Sequence, residues 1–267
     1  MRLTSLAALL ATALVMNRAP ATEPQTVESF EQTITKTVGY KFLLHLPAGY
    51  EAKADRPWPL IVFLHGSGER GNDPWLVAKH GPAKLLQGDT TAPSGETAEA
   101  KLRRDEATRL LSTQFIVVSP QCPAGVWWDD DAVLALADHI AAKHKVDPRR
   151  VYLTGLSMGG FGTWSVGLKN PGRFAAIAPI CGGGQRFDLM RAGREQKAAL
   201  LSLGVWAFHG AKDPTVPLDE SERMVAALKK AGVTDLQFTV YPEAKHDSWT
   251  ESYANPDLYT WLLKHQR

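Results

Sequence analysis

The chain has 267 residues, of which 44% are hydrophobic and 22% charged, and its formal net charge is +2. Lys and Arg are scattered along the chain and form no basic patch, so we predict no nucleic-acid partner. The length fits one large domain or two small ones, and the interior has no repeat, low-complexity tract or linker. We therefore expect a globular protein with a single core, while the oligomeric state stays open.

The N-terminus has the pattern of a secretory signal peptide. Met1-Arg2 precedes an apolar stretch from Leu3 to Met16, and Ala19-Pro20-Ala21 supplies the small residues of a cleavage site. A membrane anchor is the alternative, but the unbroken apolar run is shorter than the ~18 residues needed to span a bilayer. We predict a signal peptide over residues 1–21, a flexible leader over 22–29, and a secreted or periplasmic protein with no membrane span.

Continuous apolar runs alternate with helical patterns along the rest of the chain. Such runs are typical of strands buried on both faces, and their alternation with helices predicts a parallel sheet. The runs are Leu60–Leu64, Phe115–Val118, Val151–Leu153, Ala175–Ile180, Val205–Phe208 and Leu236–Tyr241, and the helical patterns are Ala132–Lys143, Gly160–Lys169 and Glu220–Ala231. We predict an α/β fold with a mostly parallel sheet of about eight strands, in one catalytic domain over residues 30–267.

Two segments depart from this alternation. Ile34–Val38 and Tyr40–Leu46 are β-branched and aromatic runs joined by Gly39, which predicts an antiparallel hairpin at the N-terminal edge of the sheet. Residues 88–113 are rich in Thr, Ala, Glu and Arg and look like an insertion, either a solvated surface segment or a lid over the site. Within this insertion we predict a short helix from Glu96 to Leu111.

A Gly-x-Ser-x-Gly motif lies between one predicted strand and the next predicted helix. Gly155-Leu156-Ser157-Met158-Gly159 follows Val151-Tyr152-Leu153-Thr154 directly. In this setting the glycines allow a sharp turn that exposes the serine hydroxyl above the sheet. A motif of five residues arises by chance in many chains, so its position between strand and helix is what makes Ser157 a candidate nucleophile.

Two later strands lead into residues that can activate a serine. Asp213 lies on the loop after Val205–Phe208, and His246 on the loop after Leu236–Tyr241. The chain order Ser, Asp, His is that of the α/β-hydrolase fold, so we predict Ser157, Asp213 and His246 as a catalytic triad. The alternatives are that Asp213 only caps a turn, that His246 is a surface residue, or that Asp247 or Glu243 is the working acid.

An oxyanion hole needs two N–H donors near the nucleophile. Met158, the residue after Ser157, is the first predicted donor. The second is expected in the loop His65-Gly66-Ser67-Gly68 after the strand Leu60–Leu64, and we choose Ser67, with Gly68 as the alternative. We predict that His65 orients this loop and is not a second base, because a second imidazole there would compete with His246.

Three tryptophans are candidates for substrate contact. Trp127 and Trp128 follow a strand end, and Trp249 comes three residues after His246, so any of them could stack on a sugar or phenolic ring. Large aromatic side chains are usually well buried, so we expect at least one of the three to belong to the core. For Asp129, Asp130 and Asp131 we expect helix capping, not catalysis.

Two cysteines, Cys122 and Cys181, follow strands at the catalytic edge of the sheet. In the usual strand order for this fold these strands are separated by two others, or roughly 14 Å at about 4.8 Å per strand. A disulfide needs Cα atoms within about 7 Å. We therefore predict two buried free thiols.

The motifs together resemble a known group of enzymes. These motifs are His65-Gly66-Ser67-Gly68-Glu69-Arg70-Gly71, Ser119-Pro120-Gln121-Cys122-Pro123, Gly155 to Gly160, and Tyr241 to Trp249. They are similar to those of secreted bacterial esterases related to feruloyl and acetylxylan esterases and polyhydroxybutyrate depolymerases, a group often labelled predicted peptidases or phospholipase/carboxylesterase-type hydrolases. The likeness runs from about Thr33 to Leu263.

The resemblance implies hydrolysis of small-molecule or polysaccharide-linked esters through an acyl-enzyme, with no metal or organic cofactor. It implies the triad roles for Ser157, Asp213 and His246 and the oxyanion role for Ser67 and Met158. A prolyl-oligopeptidase-like serine peptidase is one alternative, although such enzymes usually carry a further domain that gates access. A non-catalytic binding module on a hydrolase scaffold is another.

Overall fold

Seven strands form one sheet in the computed structural model, which describes residues 27–51, 56–88 and 95–267. The strands are β1 (Lys41–His45), β2 (Trp58–Leu64), β3 (Ile116–Gln121), β4 (Val146–Leu156), β5 (Ala176–Ile180), β6 (Gly204–Gly210) and β7 (Leu236–Tyr241). Their order is β1-β3-β2-β4-β5-β6-β7, with β1 antiparallel to β3 and all other pairs parallel. Each of the six predicted apolar runs forms a strand, so the predicted mostly parallel sheet is confirmed.

Nine helices cover the two faces of the sheet in the described part of the chain. They are α1 (Gly81–Leu86), α2 (Ala98–Gln114), α3 (Asp130–Lys143), α4 (Met158–Lys169), α5 (Arg186–Glu195), α6 (Lys197–Ser202), α7 (Asp219–Ala231), α8 (Trp249–Tyr253) and α9 (Pro256–Lys264). Successive residues of β2 point to opposite faces: Leu60 and Val62 pack with α3, α4 and α7, whereas Ile61 and Phe63 pack with α2 and α9. The result is three layers with apolar cores on both sides of the sheet.

The predicted N-terminal hairpin is wrong. Residues 34–38 form no strand and their side chains are exposed. β1 finds its partner in β3 instead, from Lys41 opposite Gln121 to His45 opposite Val117. A strand over residues 34–38 would alternate Ile, Thr, Lys, Thr and Val, so pairing it outside β1 would bury little apolar surface. The described sheet accordingly has seven strands and not about eight.

Most of the predicted insertion is part of the layered fold. α2 is a crossover helix between the parallel strands β2 and β3; Thr97 caps its N-terminus and it packs against α9. Ala107, Leu110 and Leu111 are buried on its inner side, so residues 98–113 are not a lid. The predicted helix from Glu96 to Leu111 is confirmed, with both ends shifted by two or three residues. Residues 89–94 of the same segment lie outside the described residues.

Contacts divide the chain into two units, residues 1–37 and 38–267. In the first unit, residues 27–37 form no helix or strand and their side chains are exposed. The predicted signal peptide, residues 1–21, and most of the predicted leader lie outside the described residues. Among the described helices, none is both long enough and apolar enough to span a membrane. The domain boundary at residue 30 stays a prediction.

Candidate active site

Ser157 occupies a sharp turn between β4 and α4. Its backbone has φ 52° and ψ −117°, a conformation that non-glycine residues rarely adopt. Close packing of backbone makes the turn possible: a Cβ on Gly159 would lie 1.9 Å from the carbonyl oxygen of Leu64, so only glycine fits there. The Ser157 N–H donates to the Ile180 carbonyl at 3.0 Å. The strained turn is thus held between β2, β4 and β5, as the predicted serine elbow requires.

Ser157, His246 and Asp213 form one hydrogen-bonded chain. His246 Nε2 lies 2.9 Å from Ser157 Oγ, and His246 Nδ1 lies 2.7 Å from Asp213 Oδ2. The Asp213 side chain is fully buried and that of His246 is 21% exposed. Because Asp213 can accept the Nδ1–H, the other ring nitrogen is left without a proton and faces the serine hydroxyl. The structure therefore brings the three predicted residues together, and their catalytic roles remain predictions.

Asp213 also caps its own loop, and the two alternative acids are engaged elsewhere. Asp213 Oδ1 accepts from the N–H groups of Thr215 (2.8 Å) and Val216 (3.0 Å). The Asp247 carboxylate accepts from the N–H and hydroxyl of Thr250 at 3.0 Å each. Glu243 pairs with Lys212 on the surface. Capping and the contact with His246 therefore use different oxygens of Asp213.

The loop after β2, which carries the predicted second oxyanion donor Ser67, passes beside the nucleophile at Gly66. A Cβ on Gly66 would lie 3.7 Å from Ser157 Cβ. His65 Nε2 accepts from the Cys122 N–H at 2.9 Å, so its proton resides on Nδ1 and is donated to the Gly66 carbonyl, 2.5 Å away. In a trans peptide the C=O and N–H point in opposite directions, so this bond also fixes the direction of the Ser67 N–H. Within α4, Met158 is the first residue and has no intrahelical acceptor for its N–H.

The predicted role of His65 as a loop-orienting residue agrees with its contacts. Besides its two ring bonds, its carbonyl accepts from Trp128 Nε1 at 3.2 Å. Arg70, to which the sequence analysis assigned no role, also holds this loop. Its guanidinium donates to the carbonyls of Ser67 (3.0 Å) and Val126 (3.2 Å). It ties the Ser67 loop to the loop that carries Trp127.

Burial of His65 predicts a pH dependence of stability. Removal of this imidazole from water lowers its pKa from 6.5 to about 4, and Arg70 adds to this, while the bond to Gly66 opposes it. The unfolded chain therefore binds more protons between pH 4 and 6.5, so stability is full above about pH 6.5 and falls as the pH drops towards 4. We expect urea unfolding to show about 2 kcal/mol less stability at pH 5 than at pH 7 from this group. A His65→Gln variant should lose that part of the difference, and an unchanged difference would contradict the assignment.

The three tryptophans have different environments. Trp128 is 8% exposed and packs edge-on against His65, with ring centroids 4.8 Å apart. Its predicted substrate contact is therefore wrong, because its ring fills the core behind the oxyanion loop. Trp127 is 63% exposed and contacts Phe161, one turn after Ser157 on α4. Trp249 packs edge-on against His246 at 5.2 Å. Trp127 and Trp249 thus remain candidates for substrate contact.

The remaining predictions concern the acidic cluster and the cysteines. Asp129 caps α3, accepting from the Ala132 N–H at 3.0 Å, and Asp130 pairs with Lys169 at 2.7 Å. Both agree with a structural role.

Cys122 and Cys181 are free and buried, which confirms the predicted thiols, and burial raises the pKa of Cys122 to about 11. In residues 27–51, 56–88 and 95–267, no group of three or more His, Cys, Asp or Glu side chains is arranged to bind a metal.

A cavity of about 540 Å³ lies beside Trp249, whose ring packs against His246. It is enclosed by the start of α1, residues 95–104 and α8, and its wall includes Trp249 and Asp247. His80 also lines it, 3.8 Å from the buried carboxylate of Glu69. Sequence reasoning singled out Trp249 but missed this cavity, because its walls come from segments far apart in the chain.

A second imidazole, that of His209, lies behind Asp213. His209 is fully buried; its Nε2 is 2.9 Å from the Val216 carbonyl and 3.4 Å from Asp213 Oδ2, and its Nδ1 is 2.7 Å from Ser221 Oγ. The sequence signal for it was its position at the end of β6, four residues before Asp213. Sequence reasoning did not use this signal.

The family comparisons agree with the geometry. The profile of the family described as "Dienelactone hydrolase family" matches residues 119–257, and that of "Putative esterase" matches residues 37–185. Among solved structures, the "Crystal Structure of a Thermostable Esterase" is 28% identical with a TM-score of 0.65, over 85% of this chain and 59% of that one. These matches confirm the resemblance to esterases and the α/β-hydrolase fold.

Two curated relatives act on polymers according to their names. Poly(3-hydroxyalkanoate) depolymerase C of Paucimonas lemoignei is 31% identical over 48% of this chain and 32% of its own length. The bifunctional acetylxylan esterase/xylanase XynS20E of Neocallimastix patriciarum is 26% identical over 71% of this chain and 26% of its own length. The chain thus spans about a quarter to a third of these two relatives. Because the dienelactone hydrolase profile covers 139 of its 267 residues, the chain belongs to that family.

Proposed function

We propose that this enzyme is a serine carboxylic-ester hydrolase that works through an acyl-enzyme on Ser157. The observation that carries the proposal is the hydrogen-bonded chain from Asp213 through His246 to Ser157 Oγ. A serine hydroxyl is a weak nucleophile at neutral pH until an adjacent base removes its proton. His246 is the only imidazole among the described residues that the structure records in hydrogen-bond contact with that hydroxyl.

In the proposed mechanism His246 Nε2 takes the proton of Ser157 as Oγ attacks the ester carbonyl. Asp213 stabilises the resulting imidazolium through Nδ1–H. His246 then gives the proton to the oxygen of the leaving alcohol as the C–O bond breaks. Water next attacks the acyl-enzyme; the same imidazole accepts the proton of the water and returns it to Ser157 when the acid leaves.

The negative charge on the carbonyl oxygen of the intermediate is assigned to the N–H groups of Met158 and Ser67. Each such donor typically contributes about 3 to 4 kcal/mol of transition-state stabilisation in a site closed to water. The bond from His65 to the Gly66 carbonyl and the bond from Arg70 to the Ser67 carbonyl support this assignment, because they hold the loop before any substrate binds.

For the substrate we propose a small or carbohydrate-linked ester of the feruloyl or acetyl type. The name of the acetylxylan esterase relative supports this class. So do the exposed ring of Trp127, which contacts Phe161 on α4, and the ring of Trp249, which packs against His246, because both offer flat surfaces for a phenolic or sugar ring. We also propose export, with cleavage after Ala21, which N-terminal sequencing of the mature protein would test.

Labelling with a fluorophosphonate tests the serine mechanism directly. We expect the folded wild-type protein to form a covalent adduct on Ser157, and the Ser157→Ala variant to form none, as read by intact mass and by the labelled peptide. Absence of labelling in a folded wild-type protein, or labelling at another residue, would exclude this mechanism.

A panel of p-nitrophenyl esters and methyl ferulate against peptide anilides separates esterase from peptidase; faster cleavage of the anilides would favour the peptidase.

A further inference from the structure

The loop after β2 and the loop after β3 are joined by hydrogen bonds close to the nucleophile. We call residues 65–71 the oxyanion loop and residues 122–128 the aromatic loop. The Cys122 N–H donates to His65 Nε2 at 2.9 Å, and the Gly71 N–H donates to the Cys122 carbonyl at 3.0 Å. The beginning and the end of the oxyanion loop are therefore both bonded to the first residue of the aromatic loop.

Arg70 holds the oxyanion loop at Ser67. Its Nε donates to the Ser67 carbonyl at 3.0 Å, while the His65 ring is bonded to the Gly66 carbonyl. The bond from Arg70 fixes the peptide plane after Ser67, which includes the Gly68 N–H. The bond from His65 fixes the plane before it, which includes the Ser67 N–H. The two N–H groups considered for the oxyanion hole thus have their directions set by these two bonds.

The same guanidinium group holds the aromatic loop directly before Trp127. Arg70 Nη1 donates to the Val126 carbonyl at 3.2 Å. On the other side of Trp127, the Trp128 indole donates to the His65 carbonyl at 3.2 Å. Both chain neighbours of Trp127 are therefore bonded to the oxyanion loop, while the Trp127 ring itself is exposed.

The exposed ring of Trp127 lies beside the helical turn that begins at the nucleophile. It packs edge-on against Phe161, with ring centroids 6.2 Å apart, and the Phe161 N–H donates to the Ser157 carbonyl at 3.0 Å. A substrate ring that covers Trp127 is consequently next to α4. It also rests on a residue whose neighbour, Val126, is bonded through Arg70 to the oxyanion loop.

The chemistry of the Arg70 side chain suits it to joining two loops. Both of its bonds end on backbone carbonyls, one in each loop. Hydrogen bonds from a charged donor are stronger than neutral ones, and a planar guanidinium presents its N–H groups in fixed directions. Arg70 can therefore keep the two carbonyls at a fixed separation, which a flexible side chain with a single donor atom does less well.

We propose that Arg70 is a positioning residue that couples the oxyanion hole to substrate contact at Trp127. When an aromatic acyl group covers the Trp127 ring, the aromatic loop becomes more ordered and, through Arg70, so do the oxyanion donors. Part of the binding energy of the acyl ring is then expressed in kcat and not in KM. This inference rests on the proposed esterase function and adds a residue that determines how strongly an aromatic acyl group is preferred. Arg70 takes no part in the bond-breaking steps.

Two methyl esters that differ only in the acyl group test this role. Methyl ferulate has a ring that can cover Trp127, and methyl acetate has none. We expect Arg70→Ala to lower kcat about tenfold for methyl acetate, the loss of one hydrogen bond to a charged group, and about a hundredfold for methyl ferulate. Arg194→Ala, at an exposed arginine in the last turn of α5, is the matched control and should change neither. Equal losses for the two esters, or a loss confined to KM, would overturn the proposal.

A double-mutant cycle measures the coupling itself. Trp127→Ala alone should lower kcat for methyl ferulate about tenfold, but less than twofold in the Arg70→Ala background, where the ring is no longer connected to the donors. Arg70→Lys keeps the positive charge and presents its donors from one atom, so a cycle with this variant should also lose most of the coupling. The Arg70→Lys cycle decides the question if Arg70→Ala lowers Tm strongly. Independent effects, with a loss of about a thousandfold in the double variant Arg70→Ala/Trp127→Ala, would contradict the proposal.

Binding of a ring to an inactive variant separates this inference from the proposed function. The probe is 2-methoxyphenol, which has the ring of a feruloyl group but no carbonyl to enter the oxyanion hole. Titrated into Ser157→Ala protein, it should shift the NMR signals of the Trp127 indole N–H and of the Gly68 amide, and the added change Arg70→Ala should abolish only the amide shift. An unshifted amide, or an amide shift that survives Arg70→Ala, would refute the coupling. If Ser157→Ala retained wild-type turnover, the proposed function would fail while this binding result stood.

Discussion

Replacing Ser157 with alanine is expected to lower kcat for p-nitrophenyl acetate by about 10⁵- to 10⁶-fold. Without the hydroxyl no acyl-enzyme forms, and His246 and Asp213 lose their function together with it, since members of such a unit act jointly. The oxyanion donors remain and leave a small residual rate over water. The measurement is initial-rate kinetics on protein purified from a strain free of other esterases, with Tm recorded for each variant.

A matched serine change shows whether the loss is local. Ser202, at the end of α6, is exposed, and its hydroxyl donates only to the carbonyl of Ala199, 3.1 Å away. Ser202→Ala should keep wild-type kcat within about twofold. A Ser157→Ala protein that keeps the wild-type Tm and more than a hundredth of the activity would show that the nucleophile is another group.

Residues at strand ends could be predicted from the sequence because the sheet itself fixes their position. Buried parallel strands are visible as apolar runs, and the residues that follow them must meet at the carboxyl edge of the sheet. Ser157, Asp213 and His246 each follow such a run, so no knowledge of side-chain contacts was needed. The same reasoning predicted that two other strands lie between the strand before Cys122 and the strand before Cys181.

Residues whose environment depends on packing between distant segments could not be predicted this way. Trp127 and Trp128 are neighbours in the chain, yet one ring is exposed and the other fills the core behind His65. Lys84 and Glu251 come to one cavity from α1 and α8. The predicted hairpin was wrong for a related reason. The β-forming residues over 34–38 do not determine whether a neighbouring strand has an apolar face for them to pack against.

Replacing Asp213 with asparagine is expected to lower kcat by about 10⁴-fold while leaving the fold intact. Asparagine keeps an oxygen in the Oδ1 position, where the amides of Thr215 and Val216 donate, so the loop after β6 should persist. Its NH₂ group replaces the oxygen that faces His246 Nδ1. An NH₂ group donates, so Nδ1 must become the acceptor and the ring proton moves to Nε2. His246 then presents a proton to Ser157 and cannot remove one.

The control for this change is the neighbouring carboxylate. Asp247 follows His246 directly but accepts from Thr250, and Asp247→Asn should therefore keep kcat within a few-fold of wild type. A large loss in Asp247→Asn with little loss in Asp213→Asn would reassign the acid to Asp247. NMR of the His246 ring nitrogens supplies the cause: the proton should lie on Nδ1 in the wild type at pH 8 and on Nε2 in Asp213→Asn. A kinetic loss without that change of tautomer would mean that Asp213 acts through its charge and not through the orientation of the ring.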